Sequence, residues 1–167
     1  PDYTAIEMKK FATAIGLEYA HKMVLHSHHQ LAEELVIKRI HFTENHRKTI
    51  MKQQLEYYKQ EGYTLSTSAH CIEDFNDLDS KFDYAFLSPV YGSISKHNYT
   101  SKTNLLKSIN DRTNFQTKMI ALGGMEASTI TTTLNAGFDS IALLGTIWNN
   151  TNPLENFKKC QQIAHSL

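Results

Sequence analysis

A small polar loop directly after an apolar run is the first stretch of this sequence that could do chemistry. The apolar run at residues 84–90 is too short for a typical helix and is stopped by Pro89, so we interpret it as a buried strand. The loop beyond it contains Gly92, Ser93, Ser95 and Lys96. Backbone N–H groups, hydroxyls and an ammonium all donate hydrogen bonds, so this loop could wrap an anion. The alternative is an ordinary turn with a solvated lysine.

Two more apolar runs end in glycine and favour the anion-binding interpretation. Gly123 and Gly124 follow the run at 119–122, and Gly145 follows the run at 139–144. Glycine is suited to places where the backbone approaches a ligand closely or turns sharply into a helix. A simple strand-to-helix turn is the alternative at both places.

His70 is the candidate for acid–base chemistry, because an imidazole takes and returns a proton near neutral pH. If the strand that leads to it alternates, Ser66, Ser68 and His70 share one face. Polar residues on an inner face suit a site better than a core. The alternative is a structural histidine whose hydrogen bonds are satisfied within the fold.

Predicted helices and strands alternate along the chain and would position these residues. We predict strands at 22–26, 39–43, 64–68, 84–90, 119–122 and 139–144. We predict helices at 8–15, 31–36, 44–60, 71–78, 102–109, 127–135 and 154–164. Such alternation indicates parallel strands joined by crossover helices, in an open doubly wound sheet or in most of a (β/α)8 barrel. In both folds ligands bind at the carboxyl ends of the strands.

Composition excludes several classes of protein. The 167 residues fit a single domain, 1–167, and contain 17 basic and 17 acidic side chains. Because these charges balance, the composition does not indicate binding to nucleic acid or to an anionic membrane. No apolar run is long enough to span a bilayer. Cys71 and Cys160 do not suggest a disulfide framework, so we expect a cytoplasmic protein.

Four segments together resemble the thiamine phosphate synthase/TenI family over about residues 23–167. The strongest is Asp83-Tyr84 through Ser88-Pro89 to Ser93-Ile94-Ser95-Lys96, similar to the family's Asp-Tyr…Gly-Pro…Thr-x-Thr-Lys run. The others are Ala121-Leu122-Gly123-Gly124-Met125, Ser68-Ala69-His70 and the run from Ile141 to Ile147. The resemblance implies an α/β fold, a (β/α)8 TIM barrel of the thiamine phosphate synthase type. The six predicted strands would be its third to eighth, with the first two strands absent.

The resemblance also implies roles for single residues. In (β/α)8 barrels the loops after the seventh and eighth strands commonly bind phosphate, which assigns a phosphate to Gly123, Gly124 and Gly145. Ser68, Ser93, Ser95 and Lys96 would bind the rest of the substrate. In the TenI branch of the family, the histidine of Ser-x-His, here His70, moves a proton on a thiazole carboxylate phosphate.

Two departures from the family concern its magnesium site. Thiamine phosphate synthases hold Mg²⁺ with a carboxylate in Asn-Asp-Arg, where this sequence has His26, Ser27 and His28, and with a second one where it has His46. Neither position offers the hard anionic oxygen that Mg²⁺ prefers, so we expect no bound metal. A zinc site among the histidines is the alternative, but no Cys pair accompanies them, and neutral hydrogen-bonded imidazoles are favoured.

The leading hypothesis is therefore a TenI-like thiazole tautomerase (an isomerase) without a cofactor. One alternative is a magnesium-dependent thiamine phosphate synthase (a transferase), with Ser93, Ser95 and Lys96 on the pyrophosphate. The other is a non-catalytic paralogue that binds thiazole phosphate or thiamine phosphate. The partner in each case is a small phosphorylated thiazole or pyrimidine.

We expect the strands at 23–26 and 139–144 to be the free edges of the sheet, with the gap between them empty or filled by a second copy in a homo-oligomer.

Overall fold

The computed structural model describes residues 3–92, 105–149 and 151–166, and helices and strands alternate through them. The strands are β1 (Arg39–Phe42), β2 (Thr64–Ala69), β3 (Tyr84–Leu87), β4 (Lys118–Ala121) and β5 (Ser140–Ile141). The α-helices are α1 (Ala5–Ile15), α2 (Glu44–Thr49), α3 (Lys52–Gln60), α4 (Ile72–Asn76), α5 (Leu105–Ser108), α6 (Ile130–Asn135), α7 (Gly145–Trp148) and α8 (Pro153–His165). Short 3₁₀ helices occupy Leu17–Lys22, His29–Leu31, Ile109–Asp111 and Ala127–Thr129. None of the described helices is long and apolar enough to cross a membrane.

The order of the strands in the sheet decides between the two folds left open by the sequence. The strands lie in chain order, β1-β2-β3-β4-β5, and the registered pairs β1–β2, β3–β4 and β4–β5 are parallel. Each crossover therefore adds its strand beside the previous one, as in a (β/α)8 barrel. A doubly wound sheet reverses its strand order at a switch point. The barrel-type α/β fold is confirmed, and the doubly wound alternative is wrong.

The residues pack as two compact units, of which the first runs to Thr67 and includes Ser80–Asp83. Its core is apolar and contains fully buried Ile40, Phe42, Leu65 and Phe82. The strand predicted at 22–26 is reduced here to a single parallel bridge between Leu25 and Ile40. Lys22 ends a 3₁₀ helix instead, so the extended segment that remains is short.

Two predicted helices of the first unit differ from the structure. The segment predicted as a helix at 31–36 forms only the end of a 3₁₀ helix followed by turns. The helix predicted at 44–60 is interrupted, because Ile50 and Met51 adopt extended backbone angles between α2 and α3. Ile50 packs against the core whereas Met51 is exposed, so tertiary packing overrides the helical composition at this point.

The second unit comprises Ser68–Asp79 and the residues from Tyr84 on. Its main core contains Phe75, Leu87 and Met119, all fully buried, and a smaller one joins Ile130 and Ile147 to Cys160 of α8. Its strands begin near the predicted residues, but β3 and β5 end earlier than predicted. Gly145, predicted to bind phosphate after the last strand, begins the one-turn helix α7, which is too short for a periodic pattern to reveal.

Two aspartates that directly precede strands anchor the backbone in the same way. The Oδ2 atom of Asp83, before β3, accepts a hydrogen bond from Leu65 N at 2.7 Å. The Oδ2 atom of Asp139, before β5, accepts one from Met119 N at 2.6 Å. Each carboxylate also pairs with a cation at 2.7 Å: Asp83 with Lys59 in the first unit, and Asp139 with Arg112 in the second.

Candidate active site

The histidine predicted as the acid–base residue lies directly after β2, in the second unit. The Nδ1 atom of His70 is 2.8 Å from the backbone oxygen of Ser88 and 3.4 Å from the Ser88 hydroxyl. A carbonyl oxygen only accepts, so Nδ1 carries the proton and donates it. In the neutral ring the lone pair is therefore on Nε2, which is the atom that can take up a proton.

The glycine pair after β4 lies against the segment that follows Ser88. Gly123 and Gly124 have φ values of 93° and 60°. A Cβ atom on Gly123 would be 2.9 Å from the Cα of Pro89, and one on Gly124 would be 2.5 Å from the oxygen of Gly92. The N–H of Tyr91 donates to the oxygen of Gly123 at 3.1 Å. Both positions thus require glycine for their conformation and for this close approach.

The three predicted phosphate-binding glycines border one cavity. Its volume is about 700 Å³, within the usual range for small-molecule sites. Gly123, Gly124 and Gly145 all line it, so the structure brings together the segments that follow β4 and β5. What the cavity binds stays a prediction.

Hydrogen bonds from two other lining residues hold the cavity wall. The hydroxyl of Thr146 donates to the oxygen of Met125 at 2.5 Å, which joins the start of α7 to the loop after β4. The amide of Asn156 in α8 donates to the oxygen of Thr146 at 3.4 Å. The loops after β4 and β5 and helix α8 therefore form one connected frame.

Sequence reasoning missed the cavity residues contributed by α8. Asn156, Lys159 and Cys160 line the cavity, and their spacing of three and four residues places them on one helical face. Ile163 continues that face into the smaller core. Lys159 is exposed, like its neighbour Lys158, and no pattern in the sequence distinguishes the two lysines.

The remaining predicted substrate-binding residues are placed only in part. Ser68 is half-buried in β2, two residues before His70. Ser93, Ser95 and Lys96 lie outside the described residues. The anion-binding role of their loop stays a prediction.

The histidines around the two positions expected to lack a magnesium carboxylate, Ser27 and His46, belong to the first unit. His26 stacks on His41 with ring centroids 4.3 Å apart, and His29 stacks on His46 at 5.5 Å. His41 is buried, and its Nδ1 lies 3.0 Å from the Ser66 hydroxyl. The Nε2 atom of His29 lies 3.1 Å from the backbone oxygen of His41. Burial lowers the pKa of both His29 and His41 to about 4, so both rings are neutral at pH 7.

These residues do not fit a magnesium ion. Mg²⁺ prefers carboxylate and water oxygens in octahedral geometry, whereas this group offers stacked imidazoles. Within residues 3–92, 105–149 and 151–166, no three His, Cys, Asp or Glu side chains are arranged to hold a metal ion.

Comparisons with solved structures agree with this fold. Thiamine phosphate pyrophosphorylase from Bacteroides thetaiotaomicron is 25% identical, with a TM-score of 0.71 over 99% of this chain and 81% of that one. The enzyme of the same name from Pyrococcus furiosus is 13% identical, with a TM-score of 0.75 over 99% and 79%. 3-Hexulose-6-phosphate synthase from Salmonella typhimurium is 13% identical, with a TM-score of 0.67 over 96% and 81%.

The comparison with family models identifies the family. No curated protein gave a significant match. The model described as thiamine monophosphate synthase (TMP-TENI) matches residues 2–147. The match begins well before residue 23, where the resemblance was expected to start, so α1 is also part of it. The chain belongs to the thiamine monophosphate synthase family.

Proposed function

We propose that this chain is a TenI-like thiazole tautomerase that acts on a thiazole carboxylate phosphate. The observation that carries the proposal is the hydrogen bond from His70 Nδ1 to the Ser88 oxygen at 2.8 Å. It fixes the tautomer in which Nε2 is the base. The residues after Ser88 contact the glycine pair of the cavity, so the base and the proposed phosphate site are joined by one segment.

The reaction is a proton transfer without net oxidation or reduction. Nε2 of His70 accepts a proton from one carbon of the substrate, and the electron pair of that C–H bond moves into the ring system. The imidazolium then returns the proton to a second carbon, which leaves the aromatic tautomer. The Ser88 carbonyl accepts from Nδ1–H in both charge states, and this hydrogen bond is stronger while the ring is cationic.

The phosphate group would be held by the backbone at Gly123, Gly124 and Gly145. Glycine lets a phosphate oxygen approach the main-chain N–H groups without a side chain in the way. An anchored phosphate would fix the thiazole ring relative to His70, and such positioning contributes a large part of the rate in small active sites.

Thiamine phosphate synthase is the second candidate, favoured by the two solved structures that bear the name thiamine phosphate pyrophosphorylase. In this case Ser93, Ser95 and Lys96 would hold the pyrophosphate of a pyrimidine substrate. Ser27 and His46 stand where the family has its two magnesium carboxylates, and the described residues contain no group of three or more His, Cys, Asp or Glu side chains placed to hold a metal ion. We therefore rank it below the tautomerase, which needs no metal.

Either reaction is proposed to take place in the cytoplasm, where the free thiols of Cys71 and Cys160 would stay reduced.

One pair of assays separates the candidates. The full chain is incubated with the non-aromatic tautomer of thiazole carboxylate phosphate in excess chelator, and formation of the aromatic tautomer is followed by NMR. Conversion above the buffer rate supports the tautomerase. Magnesium-dependent release of pyrophosphate from a pyrimidine pyrophosphate and thiazole phosphate would support the synthase instead. Binding of thiazole phosphate without turnover in either assay would support the non-catalytic paralogue.

A further inference from the structure

A basic side chain lines the cavity at Gly123, Gly124 and Gly145, and the proposed function has so far given it no role. Lys159 of α8 lines it together with Asn156 and Cys160. Among the described residues of the lining, Lys159 is the one basic side chain and Glu126 the one acidic side chain. These two side chains therefore carry the formal charges of the cavity wall.

Glu126 is already engaged in local structure. Its N–H donates a hydrogen bond to the Thr129 hydroxyl at 3.0 Å, and its backbone oxygen accepts one from the Thr129 N–H at 3.0 Å. These bonds hold the backbone of Glu126 at the edge of the cavity, and among the described residues its carboxylate forms no ion pair with Lys159.

Lys159 has no such partner. Within the described ranges its ammonium takes part in no hydrogen bond and no ion pair. Its charge nevertheless acts on the cavity wall, because it opposes the rise that burial causes in the pKa of the Cys160 thiol. Asn156, Lys159, Cys160 and Ile163 share one helical face, so the stem of the exposed Lys159 starts at the edge of the face that lines the cavity.

A phosphate monoester carries close to two negative charges at neutral pH. Backbone N–H groups at glycines supply hydrogen bonds but only partial charge, whereas an ammonium supplies a full charge and up to three donors. A cavity with glycine backbone on one wall and a lysine without a protein partner on another has both components.

We propose that Lys159 binds the phosphate group of the ligand and makes the cavity selective for a phosphorylated over an unphosphorylated thiazole. This inference deepens the proposed function and rests on it for the identity of the ligand. Lys159 contacts the phosphate and not the reacting carbons, so it determines binding and specificity and is not an acid–base residue.

Lys158 provides a matched control on the same helix. It is exposed and lines a separate, open depression with Gln161, Gln162 and His165. A change of Lys158 to Gln alters the net charge and the helix propensity as the change of Lys159 to Gln does, without touching the cavity.

Calorimetry on the full chain tests the proposal with three probes: thiazole phosphate, the same thiazole with a free hydroxyl, and inorganic phosphate. We expect Lys159→Gln to weaken binding of thiazole phosphate at least about tenfold, as for loss of a charged hydrogen bond. Binding of the hydroxyl form should not change. Lys158→Gln should match the wild type with all three probes, and Lys159→Arg should retain most of the affinity because it keeps the charge.

Several results would overturn the proposal. Wild-type affinity in Lys159→Gln, or equal losses for the phosphate and hydroxyl forms, would show that the lysine does not recognise phosphate. A wild type that binds neither thiazole phosphate nor inorganic phosphate would also overturn it. Lys159-dependent binding of inorganic phosphate without binding of thiazole phosphate would support the lysine's role and refute the proposed function. Equal melting temperatures of the variants and the wild type exclude unfolding as the cause of a loss.

Discussion

The Nδ1 atom of His70 lies 2.8 Å from the backbone oxygen of Ser88, and the residue after Ser88 packs on Gly123. One short segment thus sets the tautomer of the histidine and supports the glycine pair that lines the cavity. His70 and the cavity are therefore linked through backbone atoms. A substitution of the Ser88 side chain would leave this link in place.

The tautomer of His70 is directly measurable. We expect the neutral ring to carry its proton on Nδ1, because the Ser88 carbonyl accepts from that atom. The ¹⁵N shifts of the two ring nitrogens, assigned in the full chain at a pH where the ring is neutral, report which one is protonated. His165, exposed near the end of α8, is the reference for a solvated ring. A His70 ring protonated mainly on Nε2 would contradict the assigned base.

A second prediction concerns Gly124, where a Cβ atom would meet both strain and a clash. Its φ is 60°, and the added atom would lie 2.5 Å from the Gly92 oxygen. Gly62 also has a positive φ, 75°, but nothing lies within 4 Å of its Cβ position. We expect Gly62→Ala to lower the free energy of unfolding by about 1 kcal/mol and Gly124→Ala by about 2 kcal/mol or more. Equal losses in denaturant titrations would show that the loops after β3 and β4 do not approach this closely.

A third prediction compares the two strand-preceding aspartates. The Arg112 side chain is 7% exposed, whereas that of Lys59 is 35% exposed. A buried cation that loses its partner costs more than a solvated one. We expect Asp139→Asn to lower the free energy of unfolding by about 2 kcal/mol or more, and Asp83→Asn by about 1 kcal/mol or less. The same denaturant titration checks both, and a larger loss in Asp83→Asn would contradict the difference in burial.

A fourth prediction is acid sensitivity caused by the buried His41 and the half-buried His29 of the first unit. The pKa values of His29 and His41 are about 4 in the folded chain, against 6.5 for an ordinary histidine. As the pH falls from about 6.5 towards 4, the unfolded chain takes up protons that the folded chain does not. The free energy of unfolding should therefore fall in this range, by roughly 1 to 3 kcal/mol for each histidine, and these two groups should have no effect at higher pH.

Denaturant titrations between pH 7.5 and 4.5 test this dependence. His41→Asn should make it shallower, because it removes one of the three histidines whose pKa burial lowers, His26, His29 and His41. His165→Asn, on the exposed end of α8, should leave it unchanged. A free energy of unfolding that is constant over this range in the wild type would contradict the lowered pKa values of His29 and His41.

The sequence was sufficient for the alternation of elements and for the residues at the carboxyl ends of the strands. Gly123, Gly124 and Gly145 meet at one cavity because parallel strands in chain order place their carboxyl ends side by side. That relationship follows from topology alone. The hydrogen bond between His70 and the Ser88 oxygen could not be predicted, because it depends on the side-chain conformation of His70 after β2.

Features that depend on tertiary packing were missed. Ile50 interrupts a segment of helical composition because its side chain packs into the first core, and no glycine or proline marks the break. The strand predicted at 22–26 forms only the bridge at Leu25. Lys159 was overlooked because a lysine in a charged helix is usually solvated, and only the cavity shows which face it lies on.

The most direct measurement of the central claim is the rate at which the His70→Gln variant forms the aromatic thiazole tautomer, in excess chelator and with saturating substrate. His165→Gln is the matched control. We predict that wild type and His165→Gln convert the substrate at equal rates and that His70→Gln is slower by about 100-fold or more, the usual contribution of an acid–base residue. Its affinity for thiazole phosphate should be nearly unchanged. Turnover by His70→Gln at the wild-type rate would contradict the claim that His70 moves the proton.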